Sequence, residues 1–192
     1  MATRAQPELP GHNRARLITL AGIVIILLSA GAALMPATDG MSDSAVVGGL
    51  LVAAGLIEAF AGTLRGETRP FAIAAGCVTL LAGLVFLLRP TDHFFPNVIL
   101  VVAWLVARSL ILAVASRRAG GSVRTWTMLS AGMDLVLAVL LATGLSIATI
   151  IVSLFGPTPP LIASFAWVLA ASFVVNGLML LEVASCERGE AA

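Results

Sequence analysis

Six long apolar runs, each bounded by prolines, glycines or charged residues, constrain this chain more than any other feature. A helix crosses the hydrocarbon core of a bilayer with about 20 apolar residues. The runs are continuous rather than alternating, which favours transmembrane helices over the strands of a barrel. The predicted helices are Leu17–Met35, Ala45–Leu64, Phe71–Leu88, Asn97–Ser116, Trp126–Leu145 and Leu161–Ala184.

The composition indicates the same class of protein. Of the 192 residues, 59% are hydrophobic and 11% are charged, and the mean hydropathy is +1.06. A soluble domain carries about 25% charged residues, and a water-soluble fold of this size could not bury so much apolar surface. The net charge of +1 does not attract nucleic acid. We therefore predict an all-α membrane protein, a six-transmembrane-helix bundle surrounded by membrane lipids.

The connection between the fifth and sixth predicted helices has two interpretations. Residues 143–155 stay apolar up to the Gly-Pro-Thr-Pro-Pro sequence at 156–160. Either the fifth helix continues through this stretch, or residues 146–155 form a short re-entrant or interfacial helix. We favour a single long, tilted helix.

The placement of arginine predicts the orientation, because basic residues are retained on the cytoplasmic side of a membrane. The N-terminal stretch, the second and fourth connections and the C-terminal tail contain nine arginines, whereas the other connections contain only Arg89. Both termini are therefore predicted to be cytoplasmic, with tails at 1–16 and 186–192 and a membrane domain at 17–185. The nine are Arg4, Arg14, Arg16, Arg65, Arg69, Arg117, Arg118, Arg124 and Arg188.

The first apolar run is interpreted as a retained helix rather than a signal peptide, because no small-residue cleavage site precedes a polar mature domain. The chain has no lysine and uses alanine, glycine, valine and leucine heavily, which is typical of a GC-rich bacterial genome. The predicted location is the bacterial inner membrane.

An internal repeat divides the predicted helices into three pairs, at about 17–64, 71–116 and 126–184. A shift of 54 residues superposes the first pair on the second without a gap, whereas the third pair matches more loosely and lacks the proline. Every pair starts and ends on the cytoplasmic side, so the pairs are parallel, unlike the inverted repeats of many transporters. The matched positions are Gly22, Pro36 and Gly55, then Gly76, Pro90 and Ser109, then Gly132 and Gly177.

This pattern of a glycine, an apolar stretch, a proline and a small-residue helix resembles the HdeD-like acid-resistance membrane protein family. The resemblance covers the chain from Leu17 to Ser185 and depends on helix-packing positions, not on chemistry. It implies six transmembrane helices and a role in resistance to acid stress.

Four polar side chains lie inside the predicted helices, where an ionisable group costs roughly 2.5–3.5 kcal/mol and is a functional candidate. Glu58, Arg108, Asp134 and Asn176 each lie on the order of 10–15 Å from the cytoplasmic end, so they predict one intramembrane polar layer. In one interpretation, Arg108 and Asp134 form a buried ion pair, and the other two add interhelical hydrogen bonds. In another, the layer lines a pocket or half-channel open to the cytoplasm, where Glu58 or Asp134 takes up a proton or an organic cation. In a third interpretation, the layer contacts lipid headgroups or a partner subunit.

Outside this layer, few residues suggest chemistry. His93 lies beside Asp92 on an outer turn, and the ordinary pKa of a histidine side chain suits it to sensing acid. Cys77 and Cys186 have no spacing that indicates a disulfide or a metal site. We therefore predict no metal and no cofactor, and without a catalytic motif we do not expect an enzyme.

Three functions follow from these features. The first is a non-enzymatic, HdeD-like membrane protein with a stress, acid-resistance or envelope role. The second is an accessory structural subunit that packs against other membrane protein subunits, or against itself, through alanine and glycine faces. The third is a small transporter or proton-conducting channel that uses the intramembrane Glu58, Arg108 and Asp134.

Overall fold

The fold is an all-helical bundle of six helices in the part of the chain that the computed structural model describes. The described residues are 11–34, 43–66, 68–88, 94–155 and 159–190. The helices are α1 (Gly11–Leu34), α2 (Asp43–Thr63), α3 (Arg69–Leu88), α4 (Phe94–Ser116), α5 (Gly121–Phe155) and α6 (Pro159–Glu190).

Each of these six helices contains a segment that is long and apolar enough to cross a membrane. Their outward surfaces carry large exposed apolar side chains, such as Leu27, Leu88 and Leu110. Exposing such side chains to water costs about 25 cal/mol per Å², so this surface suits lipid. The candidate spans are Asn13–Ala33, Ala45–Thr63, Arg69–Leu88, Val98–Ser116, Gly121–Gly144 and Trp167–Cys186.

The helices extend beyond the predicted limits at both ends of the chain. α1 begins at Gly11 rather than Leu17, and α6 continues to Glu190, so the residues assigned to the two tails are partly helical. α5 runs to Phe155 as one long helix, and residues 146–155 are its continuation rather than a separate re-entrant helix.

Local chemistry explains where several helices start. Prolines occupy the first turn of three helices, where a backbone N–H would have no partner within the helix. Gly121 starts α5 with φ 52°, a left-handed conformation that residues with a Cβ rarely adopt. The prolines are Pro70 in α3, Pro96 in α4, and Pro159 and Pro160 in α6.

Each helix packs against its neighbours in the chain, and α1 packs against α6, which closes the bundle into a ring. The most extensive interfaces are α2–α3, α1–α6 and α4–α5, and they alternate with less extensive ones. The two helices of one predicted pair therefore contact each other less than they contact the neighbouring pairs.

Three contacts show that α1, α3 and α5 start at the end of the bundle where α2, α4 and α6 finish. Arg14 of α1 donates to the backbone at the end of α2. Arg118 lies over the ring of Phe71, 5.0 Å from its centroid, and Ser122 donates to Glu182. We call this end of the bundle the arginine end. It contains the described arginines other than Arg108, namely Arg14, Arg16, Arg65, Arg69, Arg117, Arg118, Arg124 and Arg188.

Candidate functional site

Arg108 lies in the middle of α4 with 1% of its surface exposed. A guanidinium does not lose its proton in proteins, so its buried charge needs a partner of opposite sign. Two carboxylates provide this: Nη1 donates to Asp134 Oδ2 of α5, and Nη2 donates to Glu58 Oε1 of α2 at 3.0 Å. We call Glu58, Arg108 and Asp134 the ion cluster.

Two further helices contact the ion cluster. Ser172 of α6 donates from Oγ to Asp134 Oδ1 at 2.8 Å. Thr79 Oγ1 of α3 lies 3.5 Å from Glu58 Oε2 and 3.1 Å from a carbonyl of its own helix, and its single proton serves one of them at a time. Trp104 Nε1 of α4 donates to Thr79 Oγ1 at 3.0 Å. The ion cluster thus connects α2, α3, α4, α5 and α6.

The ion cluster contains two negative charges for one positive charge. Both carboxylates are almost fully buried, with 3% of Glu58 and 1% of Asp134 exposed. Removing one member of a buried ion pair leaves an uncompensated charge, which costs about 3–5 kcal/mol. Protonating one carboxylate has a smaller consequence, because Arg108 keeps the other carboxylate as its partner.

A second buried arginine follows Glu58 toward the arginine end. Arg65 is 6% exposed, and its Nε has no hydrogen-bond partner among the described residues. Burial lowers the pKa of Arg65, the negative charge of Glu58 raises it, and Arg108 lowers it further. Because a guanidinium stays protonated, Arg65 offsets part of the excess negative charge of the ion cluster from a distance.

The structure brings three of the four predicted polar residues together. Arg108 and Asp134 form the expected buried ion pair, and Glu58 joins them through a second ion pair. Asn176 of α6 is also buried, with 2% exposed, but its Oδ1 has no hydrogen-bond partner among the described residues. The interhelical hydrogen bond expected of Asn176 is therefore absent at this atom.

Sequence reasoning missed Thr79, Ser172 and Arg65. Hydroxyls in transmembrane helices often bond to the backbone of their own helix, so Thr79 and Ser172 carry no signal by themselves. Ser172 precedes Asn176 by one helical turn, and this spacing on one helix face is the signal that could have indicated it. Arg65 follows the end of α2 and looks like an ordinary loop charge in the sequence.

Small residues form the crossing points of the α2–α3 and α1–α6 interfaces. A Cβ at Gly55 would lie 2.9 Å from the carbonyl oxygen of Gly76, and a Cβ at Gly22 would lie 2.9 Å from that of Gly177. Both distances are shorter than van der Waals contact, so only glycine permits these helices to approach so closely. The four glycines thus lie at helix contacts, as expected of the repeat positions.

The α4–α5 interface packs at Ala131, the residue next to the predicted packing position Gly132. Ser109 donates from Oγ to the carbonyl of Ala131 at 2.8 Å. Gly132, a predicted helix-packing position of the repeat, is instead exposed, and a Cβ there would meet no other side chain and no other helix within 4 Å. Successive helical residues are rotated by about 100°, so Ala131 faces α4 and Gly132 faces outward. The loose match of the third pair could not resolve this shift.

The remaining predicted residues do not join the ion cluster. Pro36, Pro90, Asp92 and His93 lie outside the described residues, so the pH-sensing turn stays a prediction. Cys77 is exposed and Cys186 is half-buried, and both are free thiols. Within the described ranges, no three His, Cys, Asp or Glu side chains form a group that could hold a metal ion.

The six candidate spans indicate a multi-pass membrane protein, and the ion cluster is its candidate functional site. No protein-family model, no curated protein and no solved structure matches this chain. The functional conclusion therefore depends on the residues of the chain itself.

Proposed function

We propose that this chain is a non-enzymatic, HdeD-like protein of the bacterial inner membrane that acts in acid resistance or in maintaining the envelope under stress. The observation that carries the proposal is the ion cluster, whose buried charges connect helices from all three predicted pairs. The arginine end supports a cytoplasmic location of both termini, because it concentrates the basic residues that the positive-inside rule retains in the cytoplasm.

Equivalent hydrogen bonds in the second and third pairs support the proposed threefold repeat. Trp104 donates to Thr79 in the second pair, and Ser172 donates to Asp134 in the third. In the second pair, Trp104 lies five residues before Ser109, and Thr79 lies three residues after Gly76. In the third pair, Ser172 lies five residues before Gly177, and Asp134 lies three residues after Ala131. The crossing residues are Gly76 and Ser109 in the second pair, and Ala131 and Gly177 in the third.

The two carboxylates of the ion cluster suit a protein that works in acid. When acid protonates either Glu58 or Asp134, the other carboxylate still compensates the buried charge of Arg108. A simple pair with one carboxylate would lose its only ionic contact in the same step and would leave a buried charge without a partner. The helices around the cluster therefore stay connected over a wider range of pH.

Deletion of the gene is expected to lower the survival of its host at low pH, and the wild-type chain is expected to restore survival. The Arg108→Met variant is expected to fail in this complementation, because Glu58 and Asp134 then lack their cation. Viable counts after an acid challenge measure the effect, with the amount of each variant in the membrane checked by immunoblotting.

The matched control is Arg16→Met, the same substitution at an exposed arginine of α1. This variant is expected to restore survival fully. Equal survival of the deletion strain and its parent at low pH would contradict the acid role. Equal survival under detergent and osmotic stress as well would contradict the envelope role.

A second candidate function is that of an accessory subunit in a larger membrane complex, and one surface of α5 favours it. This exposed surface contains a shallow groove of about 590 Å³, whose lining includes Arg124, Met128, Gly132 and Val136. A small residue on an outer helix face lets another helix approach closely. Purification in mild detergent followed by mass spectrometry should then recover a partner subunit that Gly132→Leu removes. A wild-type chain that purifies alone would contradict this candidate.

A further inference from the structure

Two buried hydroxyls of α5 lie on the same helix face as Asp134. Thr127 is 2% exposed and Ser130 is 0% exposed, and neither hydroxyl has a hydrogen-bond partner among the described residues. Hydroxyls within helices usually donate to a carbonyl one turn back, as those of Thr19 and Thr143 do here. Thr127 and Ser130 do not make this hydrogen bond, although burial makes an unpaired hydroxyl unfavourable.

Asn176 of α6 lies at the same level as Ser130. Ser172 of α6 donates to Asp134 of α5, so these two residues lie at one level. Asn176 follows Ser172 by one helical turn, and Ser130 precedes Asp134 by one turn. Because α5 and α6 are antiparallel, both turns lead in the same direction along the bundle. Asn176 and Ser130 therefore lie one turn closer to the arginine end than the ion cluster does. The Oδ1 of Asn176 is unpaired as well, so two adjacent helices present unpaired polar atoms at one level.

These polar side chains follow one another along α5 and α6, with further polar residues beyond one end of the series and apolar residues beyond the other. Thr127 continues the series toward the arginine end, where Ser122 donates to Glu182 between α5 and α6. In the opposite direction from Asp134, the next residues on these helix faces are the buried apolar Leu137, Ala138 and Leu169. The α5–α6 interface is also less extensive than the α4–α5 interface.

We propose that Thr127, Ser130 and Asn176 line a hydrated, blind-ended column through which Asp134 exchanges a proton with the solution at the arginine end. Buried polar groups without a protein partner are normally satisfied by ordered water. Water bound to these three side chains supplies the missing hydrogen bonds and passes protons along the column to the carboxylate. The apolar residues beyond Asp134 end the column, so it gives access from one side only and does not conduct.

The groups that face Asp134 determine what proton uptake does. Arg108 of α4 is its ionic partner, Ser172 of α6 donates to it, and Glu58 of α2 shares Arg108. When the Asp134 carboxylate accepts a proton it becomes a neutral carboxylic acid, and Arg108 keeps Glu58 as its counter-ion. At the mouth of the column, Arg124 of α5 and Glu182 of α6 are the nearest ionisable groups on the two helices that line it.

Infrared spectroscopy of the full chain in lipid vesicles tests the column. Acidification is expected to produce a carboxylic acid band that Asp134→Asn removes and that Glu58→Asp retains at the same frequency, because Glu58→Asp keeps a second carboxylate for Arg108. In heavy water this band is expected to shift promptly to lower frequency, because the proton exchanges with solvent. In the Thr127→Val/Ser130→Ala variant the shift is expected to be roughly tenfold slower, which corresponds to the loss of about one hydrogen bond along the path.

Thr143→Val/Ser116→Ala is the matched control, because these two hydroxyls bond to carbonyls of their own helices. It is expected to exchange at the wild-type rate. The proposal is overturned if the Asp134 band is missing on acidification, or if it shifts equally fast in the Thr127→Val/Ser130→Ala variant. Steady proton flux through wild-type vesicles above that of empty vesicles would overturn the blind end and would favour a conducting channel. None of these readouts depends on acid survival, so the column and the stress role can fail separately.

Discussion

The Arg108→Met variant is expected to lose about 3–5 kcal/mol of unfolding free energy, because it leaves two buried carboxylates without a cation. Methionine matches the length of the arginine stem, so the loss comes mainly from the charge and its hydrogen bonds rather than from a large cavity. Arg108 donates to Asp134 and to Glu58 at once, and both bonds are almost fully buried. Unfolding with a denaturing detergent in mixed micelles, followed by circular dichroism, measures the difference.

Two further variants separate charge from packing in this experiment. Arg124→Met, at an exposed position, is expected to change stability by less than about 0.5 kcal/mol. Adding Glu58→Gln and Asp134→Asn to Arg108→Met is expected to recover most of the loss, because a neutral set of similar volume leaves no uncompensated charge. If the triple variant is as unstable as Arg108→Met alone, electrostatics does not explain the effect.

The Gly55→Val variant is expected to destabilise the bundle by about 3 kcal/mol, near the upper end for an overpacked site. A Cβ at this position would collide with the backbone of Leu80 and would lie 2.9 Å from the carbonyl oxygen of Gly76. Backbone atoms cannot rotate away as a flexible side chain can, so α2 and α3 must separate along their extensive interface. The same detergent titration measures this loss.

Gly132→Val is the matched control, since it makes the same change in a helix where a Cβ would meet no other side chain and no other helix within 4 Å. Its expected effect on stability is below about 0.5 kcal/mol. Comparable losses for the two variants would show that the different helix propensities of glycine and valine, and not the close helix contact at Gly55, cause the loss of stability.

Helix number and the shared level of Glu58, Arg108 and Asp134 along the bundle could be predicted from the sequence. Both depend on local properties, namely hydropathy over about 20 residues and a rise of 1.5 Å per residue. Matching depths also predicted that Arg108 meets Asp134, because an intramembrane charge must find an opposite charge. The helix limits were less accurate: α1 begins at Gly11, before its apolar run, because hydropathy reports where a helix enters the lipid and not where it starts.

Sequence by itself thus determined the six helices and the layer at which their buried charges lie. Only the tertiary structure decided which helix faces meet: the closure of α1 on α6, the contact at Ala131 instead of Gly132, and the meeting of Thr79 and Ser172 with the carboxylates. The physical reason is rotation about the helix axis. A shift of one residue turns a side chain by about 100°, and close packing between distant segments, which hydropathy does not encode, sets that angle.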